Sequence, residues 1–277
     1  MAVLREISDL RAAKLSPYTD TSELNLLREG LFVAESPKVI RTALDAGAEA
    51  VSLLVEDKYV TGQAADIIAR VGDIPVFHGN SAALSELTGY KLTQGVLAAI
   101  KRAPLPDIGD ILRDSHRIAL LENIMNQTNT GAIFRSAAAL GFDAVLLTDG
   151  CSDPLFRRSV RVSMGSVFLI PWARIGSASP DYIRTLREAG FVTAAMALRS
   201  DTITISDPRV TEAERLAVVL GTEGDGLLSS TIEECDYTIK IPMSHGVDSL
   251  NVAAASAVPS GSSADTERSI YAFDSYC

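Results

Sequence analysis

Short apolar runs of four to six residues recur along the chain, each followed by a stretch with helical punctuation. Ala50-Val51-Ser52-Leu53-Leu54-Val55, Arg117-Ile118-Ala119-Leu120-Leu121, Ala144-Val145-Leu146-Leu147, Phe191-Val192-Thr193-Ala194-Ala195 and Leu216-Ala217-Val218-Val219-Leu220-Gly221 are such runs. Runs this short and this largely apolar suit buried strands. Strands that alternate with helices restrict the chain to an α/β architecture. The helical stretches carry their own boundaries. Pro37 stands at the favoured first position of a helix over Lys38–Ala46, with Gly47 past its end. Asn129 or Thr130 opens a helix that Gly141 ends, and Asp181–Ala189 is closed by Gly190. Residues 1 to about 30 read as a helical lead-in, and Val167–Pro171 as a further strand.

A chain of 277 residues has room for two small domains. Lys101-Arg102-Ala103-Pro104-Leu105-Pro106-Asp107 is polar and proline-bearing, so it is the expected linker. The expected domains are 1–105 and 106–258. Residues 259–277, with Pro259-Ser260-Gly261-Ser262-Ser263, form an atypical polar tail. No apolar run reaches the roughly 18 residues of a membrane span, and the start of the chain is charged at once. Cys151, Cys235 and Cys277 are far apart and odd in number, with no metal-ligand spacing. A reducing cytoplasm without a bound metal is the expectation. The net charge of −10 argues against a nucleic-acid partner but does not exclude one, because a local basic patch can work inside an acidic chain.

Three loops at the C-terminal ends of strands hold the residues suited to chemistry. Ligands of open α/β sheets bind at such ends. The first runs from Glu122 to Gly131 and leads into a helix bearing Arg135. Asn129 belongs to this loop, and Arg135 falls on the second helical turn. A cation near a helix N-terminus is disfavoured by the dipole, so Arg135 calls for an anionic partner such as Glu223 or a phosphate. The second loop, Gly221-Thr222-Glu223-Gly224-Asp225-Gly226, has glycines that let backbone approach a ligand. It is neither a P-loop nor a dinucleotide fingerprint. The third is Ile241-Pro242-Met243-Ser244-His245-Gly246-Val247-Asp248-Ser249-Leu250-Asn251-Val252, where a strand hands over to an alanine-rich helix. Arg157, Arg158 and Arg161 cluster on a separate stretch and are candidates for phosphate contacts.

Taken together, the three loops resemble the SpoU/TrmH-type RNA ribose 2′-O-methyltransferases of the SPOUT class. The motifs that carry the resemblance are Asn129-Thr130-Gly131-Ala132-Ile133-Phe134-Arg135, Leu220-Gly221-Thr222-Glu223-Gly224-Asp225-Gly226-Leu227, and Ile241-Pro242-Met243 with Val247-Asp248-Ser249-Leu250-Asn251. They stand in the family's order. The resemblance covers about residues 115–258. The N-terminal unit is more weakly similar to a small α/β domain that binds kinked RNA, through Phe32-Val33-Ala34-Glu35-Ser36-Pro37-Lys38-Val39-Ile40.

The resemblance implies a SPOUT α/β domain with a deep trefoil knot, a topology that general chain-path rules would exclude. It implies S-adenosylmethionine as cofactor, held by Gly221, Glu223, Gly224, Ile241, Met243, Leu250 and Asn251. It implies a homodimer and methyl transfer to a ribose 2′-hydroxyl of structured RNA, ribosomal ahead of transfer RNA. A hydroxyl needs its proton removed before it attacks. The resemblance assigns this task to Arg135, as the base itself, through a phosphate oxygen it orients, or by stabilising the forming alkoxide. Asn129, Glu223, Ser249 and Asn251 would orient the reacting groups. Family members continue the last helix with apolar and aromatic residues where this chain has Pro259 and a Ser/Gly run. That departure keeps a second reading open, an RNA- or cofactor-binding protein without turnover. A small-molecule methyltransferase is a third.

Overall fold

Buried apolar runs become strands here, and polar punctuation sets the helix ends. The computed structural model describes residues 2–19, 23–177 and 180–241. They fall into two compact units. One comprises the chain up to Pro104 together with Asp153–Leu169, and the other comprises Leu105–Ser152 and the chain from Ile170 onward.

The first unit is built on five strands, β1 (Val3–Glu6), β2 (Leu31–Glu35), β3 (Ala50–Glu56), β4 (Pro75–Gly79) and β5 (Val96–Lys101). Their order is β1-β4-β3-β5-β2, with β5 antiparallel to both neighbours. Tyr18, Leu54, Phe77, Leu97 and Ala99 lie in its core. The Tyr18 hydroxyl lies 2.8 Å from Ser52 Oγ and accepts from Ala99 N–H, so burial leaves no unpaired polar atom there. The helical lead-in is not continuous. An edge strand, β1, precedes short helices at Ser16–Thr19 and Glu23–Arg28. All four residues of β1 are exposed, so no apolar alternation marks it in the sequence. The helix Pro37–Asp45 starts as expected, but its cap Ser36 sits at φ 86° and ψ 144°.

Residues 153–169 belong to this first unit although they lie far along the chain. Arg102 holds Asp153 through two parallel hydrogen bonds of 3.0 Å and gives its Nε to the Leu31 carbonyl. The helix Arg157–Val162 packs on β2. The expected strand at Val167–Pro171 is instead a 3-10 turn, Ser166–Phe168, entered through Gly165 at φ 87°. Phe168 packs against Phe32 with ring centroids 5.7 Å apart. Burial against β2 thus replaces the sheet pairing that an apolar run suggests.

The second unit is a parallel sheet of β6 (Arg117–Leu121), β7 (Ala144–Thr148), β8 (Trp172–Gly176), β9 (Val192–Met196), β10 (Ile203–Thr204), β11 (Leu216–Leu220) and β12 (Tyr237–Lys240). The strand order is β10-β12-β9-β11-β6-β7-β8, and every pair is parallel. All strand ends that carry candidate residues therefore open on one edge. β6, β7 and β11 are the buried centre, with Ile118, Leu120, Leu146, Ala217 and Val219 in one core. The segment that would thread a knot begins at Pro242 and lies outside the described residues, as does the tail from Pro259.

Candidate active site at the sheet edge

The central strands β6 and β11 run side by side, with Leu121 in register with Leu220. Glu122, the next residue, donates its N–H to the Leu220 carbonyl at 2.9 Å. The first two candidate loops are therefore neighbours by construction. β12 lies two strands from β11, so Ile241 leaves the same edge at roughly 9.5 Å by strand spacing.

The first loop is held tightly. Cys151 Sγ accepts from Ile124 N–H and donates to the Leu121 carbonyl at 3.1 Å. Burial pushes the Cys151 thiol pKa up, so it acts here as a neutral packing group. Asn126 caps the following helix, its side-chain oxygen accepting from Thr128 N–H at 2.8 Å. The helix spans Gln127–Ala139 and so begins earlier than Asn129 or Thr130. Asn129 is consequently a first-turn helical residue, not a loop residue, and only 6% exposed. Arg135 lies past the middle of this helix and is exposed. At that depth the N-terminal dipole does not act on it, which removes the electrostatic argument for an obligatory partner. Among the described residues Arg135 forms no ion pair, with Glu223 or any other acid. Asn129 and Arg135 sit about a third of a turn apart around the helix axis and roughly 9 Å along it, one facing inward and one to solvent.

The glycine loop is a tight hairpin in which Thr222 N–H donates to the Gly226 carbonyl at 3.0 Å. Gly221 is buried, and a Cβ there would stand 2.4 Å from the Gly226 carbonyl carbon. Its missing side chain makes room for the loop's own backbone rather than for a ligand. Gly224 and Gly226 take φ 97° and 70°, conformations that favour glycine, with open space where a Cβ would be. Residues Glu223 to Gly226 are exposed at the sheet edge. Met243, Ser249, Leu250 and Asn251 lie outside the described residues, and so does His245.

The three arginines are part of the other unit. Arg157, Arg158 and Arg161 belong to the first unit, where they line a cavity of about 580 Å³ with Glu23, Glu35 and Tyr90. Arg157 donates to the Tyr90 hydroxyl at 3.0 Å, and its backbone N–H donates to Glu23. Its Nε is buried without a hydrogen-bond partner among the described residues. Burial raises the Glu23 carboxyl pKa, with Arg157 opposing the shift. Among the described residues no group of His, Cys, Asp and Glu could hold a metal ion.

One residue at the edge escaped the sequence reading. Glu122 is 1% exposed, and its carboxylate accepts from Leu228 N–H at 2.7 Å and from the hydroxyls of Tyr182 and Thr231. The available signal was an acid set directly after four apolar strand residues.

The model of the SpoU rRNA Methylase family matches residues 116–260. An uncharacterized tRNA/rRNA methyltransferase of Mycobacterium bovis is 36% identical over 256 residues, covering 92% of this chain and 86% of its own. The 23S rRNA guanosine 2′-O-methyltransferase RlmP of Bacillus subtilis is 26% identical, covering 91% and 97%. The AdoMet-bound rRNA methyltransferase of Sinorhizobium meliloti superposes with a TM-score of 0.77 at 26% identity, over 92% of this chain and 95% of that one.

Proposed function

The chain belongs to the SpoU rRNA Methylase family, and from that premise we propose that it transfers a methyl group from S-adenosylmethionine to a ribose 2′-hydroxyl of ribosomal RNA. The observation that carries this reading is that β6, β11 and β12 end on one sheet edge, β6 leading to the helix Gln127–Ala139 that bears the first motif, β11 to the hairpin that holds the second, and β12 ending where the third begins in sequence. The cofactor supplies an electrophilic methyl carbon; the protein has to bind it, present the hydroxyl and take up a proton.

The described residues fit such a cofactor. The hairpin at Gly221–Gly226 is pinned on itself, its residues Glu223 to Gly226 are exposed, and Gly224 has open space where a Cβ would be. Gly221, Glu223, Gly224 and Ile241 would hold the cofactor, together with Met243, Leu250 and Asn251 of the following segment. Exposed Arg135 is free to meet an incoming RNA phosphate. A guanidinium is a poor base at neutral pH, since its pKa exceeds 12. Arg135 therefore acts by orienting a phosphate oxygen that accepts the 2′-hydroxyl proton, or by stabilising the forming alkoxide. Asn129, Glu223, Ser249 and Asn251 complete the orientation of ribose and cofactor. Arg157, Arg158 and Arg161 contact RNA from the first unit. Their cavity offers cationic groups and an aromatic ring, the pairing that suits an unstacked nucleotide. The working form is a homodimer, and ribosomal RNA places the work in the cytoplasm.

Arg135→Ala tests the assignment. Turnover falls by at least about 100-fold, in line with loss of a proton-transfer group, while calorimetric binding of S-adenosylmethionine stays within twofold of wild type. Retained turnover removes Arg135 from the mechanism. Absent turnover in the wild type, with cofactor binding intact, favours a binding protein.

A further inference from the structure

Glu122 is a carboxylate in the core at the very edge that carries the chemistry. Burying a charge without a cationic partner is costly, and replacing such groups by apolar ones is often neutral or stabilising. Among the described residues no cation pairs with Glu122. Three donors converge on it instead, two hydroxyls and one backbone N–H. A carboxylate is acceptor-only, so it meets all three without presenting a hydrogen of its own.

The elements so joined are specific. Glu122 ends β6, and its N–H binds the last carbonyl of β11. Leu228 is the second residue past the glycine hairpin and starts the helix Ser229–Glu234. Tyr182 stands on the helix Asp181–Glu188, and Thr231 on Ser229–Glu234. The entry of the hairpin is fixed by β11 and its neck by Thr222 bonding to Gly226. Its exit is fixed by the Leu228 N–H reaching Glu122. Tyr182 and Thr231 hold the carboxylate in place from the other side.

We propose that Glu122 is a positioning residue for cofactor binding. Through the Leu228 N–H it holds the glycine hairpin in its binding shape before the cofactor arrives. The inference rests on the reading above that this hairpin holds S-adenosylmethionine. Preorganisation of this kind improves affinity by removing the ordering cost of the loop. It leaves the chemical step untouched once cofactor is bound.

Leu228→Pro isolates the bond. Leu228 has φ −60°, which proline adopts, and its side chain is 47% exposed. The substitution removes the N–H and little else. The expected result is a Kd and KM for S-adenosylmethionine raised about tenfold, with kcat at saturating cofactor within twofold of wild type. Leu228→Ala stays at wild type. Tyr182→Phe, which removes a different donor from the same carboxylate, lowers the thermal midpoint and leaves cofactor KM within twofold. Unchanged cofactor binding in Leu228→Pro, or an equal rise in KM for Tyr182→Phe, overturns the proposal. Native hydrogen exchange of the wild type provides a check that needs no variant. The Leu228 amide is protected without cofactor if the hairpin is preset, and exchanges as a free loop amide if it is not. Failure of the wild type to bind S-adenosylmethionine at all would instead overturn the functional reading.

Discussion

Arg102→Met should release the segment 153–169 from the first unit. Arg102 and Asp153 are 14% and 10% exposed at their side chains and joined by two hydrogen bonds of 3.0 Å. Asp153 Oδ1 also accepts from Leu155 N–H at 2.7 Å, so the carboxylate organises the start of the segment. Removing the arginine leaves that carboxylate buried without its cation, at a cost of about 3–5 kcal/mol. The loss should be local, because the pair ties one excursion of the chain to the linker. Hydrogen exchange by mass spectrometry on peptides covering 153–169 is therefore the assay, and it avoids treating two units as one transition. At about 1.4 kcal/mol per decade, protection should drop by roughly two to three and a half orders of magnitude. The double variant Arg102→Met, Asp153→Leu should recover most of it, since an apolar pair needs no cation. A drop of less than tenfold in the single variant would refute the claim that this pair anchors the segment.

Ser36→Gly should raise the thermal midpoint by about 2–4 °C, because Ser36 at φ 86° and ψ 144° carries strain of about 1–3 kcal/mol against a weak 3.4 Å cap bond; an unchanged or lower midpoint in differential scanning calorimetry contradicts this. Gly221→Ala should weaken S-adenosylmethionine binding by about 5- to 150-fold, since a Cβ 2.4 Å from the Gly226 backbone forces the hairpin open at a typical overpacking cost of about 1–3 kcal/mol; calorimetric affinity equal to wild type would contradict it. Cys235, whose pKa burial pushes up to about 12, should resist iodoacetamide at pH 9 in the folded protein and react once the protein is unfolded, where a thiol titrates near about 8.5. Its contribution to stability is complete below that value and is lost as pH rises toward 12, so folded-state labelling as fast as unfolded would refute the burial argument.

The parallel sheet of the second unit was legible because its strands are buried on both faces and bounded by caps and glycines. Leu216–Leu220 and Ala144–Thr148 are buried at every position, and Thr148 is their one polar residue. The exposed edge strand Val3–Glu6 was not, because nothing in four solvent-facing residues distinguishes a strand from a helix. The excursion at 153–169 was equally hidden, since Arg102 and Asp153 pair across 51 positions of sequence. In the candidate site, Arg135 and the glycine loop drew notice through the motifs that carry the family resemblance. The hairpin's internal bond and the convergence of Tyr182, Thr231 and Leu228 on Glu122 could not. They depend on which loops the sheet brings side by side, with partners up to 109 positions apart. Asn129 was misplaced by a few residues because Asn126, an equally good cap, lies just upstream.

The most direct test of the functional account is the product. Ribosomal RNA lacking the modification would be incubated with the protein and methyl-labelled S-adenosylmethionine, then digested and resolved by liquid chromatography with mass spectrometry. The account predicts label in a 2′-O-methylated nucleoside, within a linkage that resists alkaline hydrolysis, and its disappearance with Arg135→Ala. Label on a base, or none on RNA while a small molecule is methylated, would contradict it.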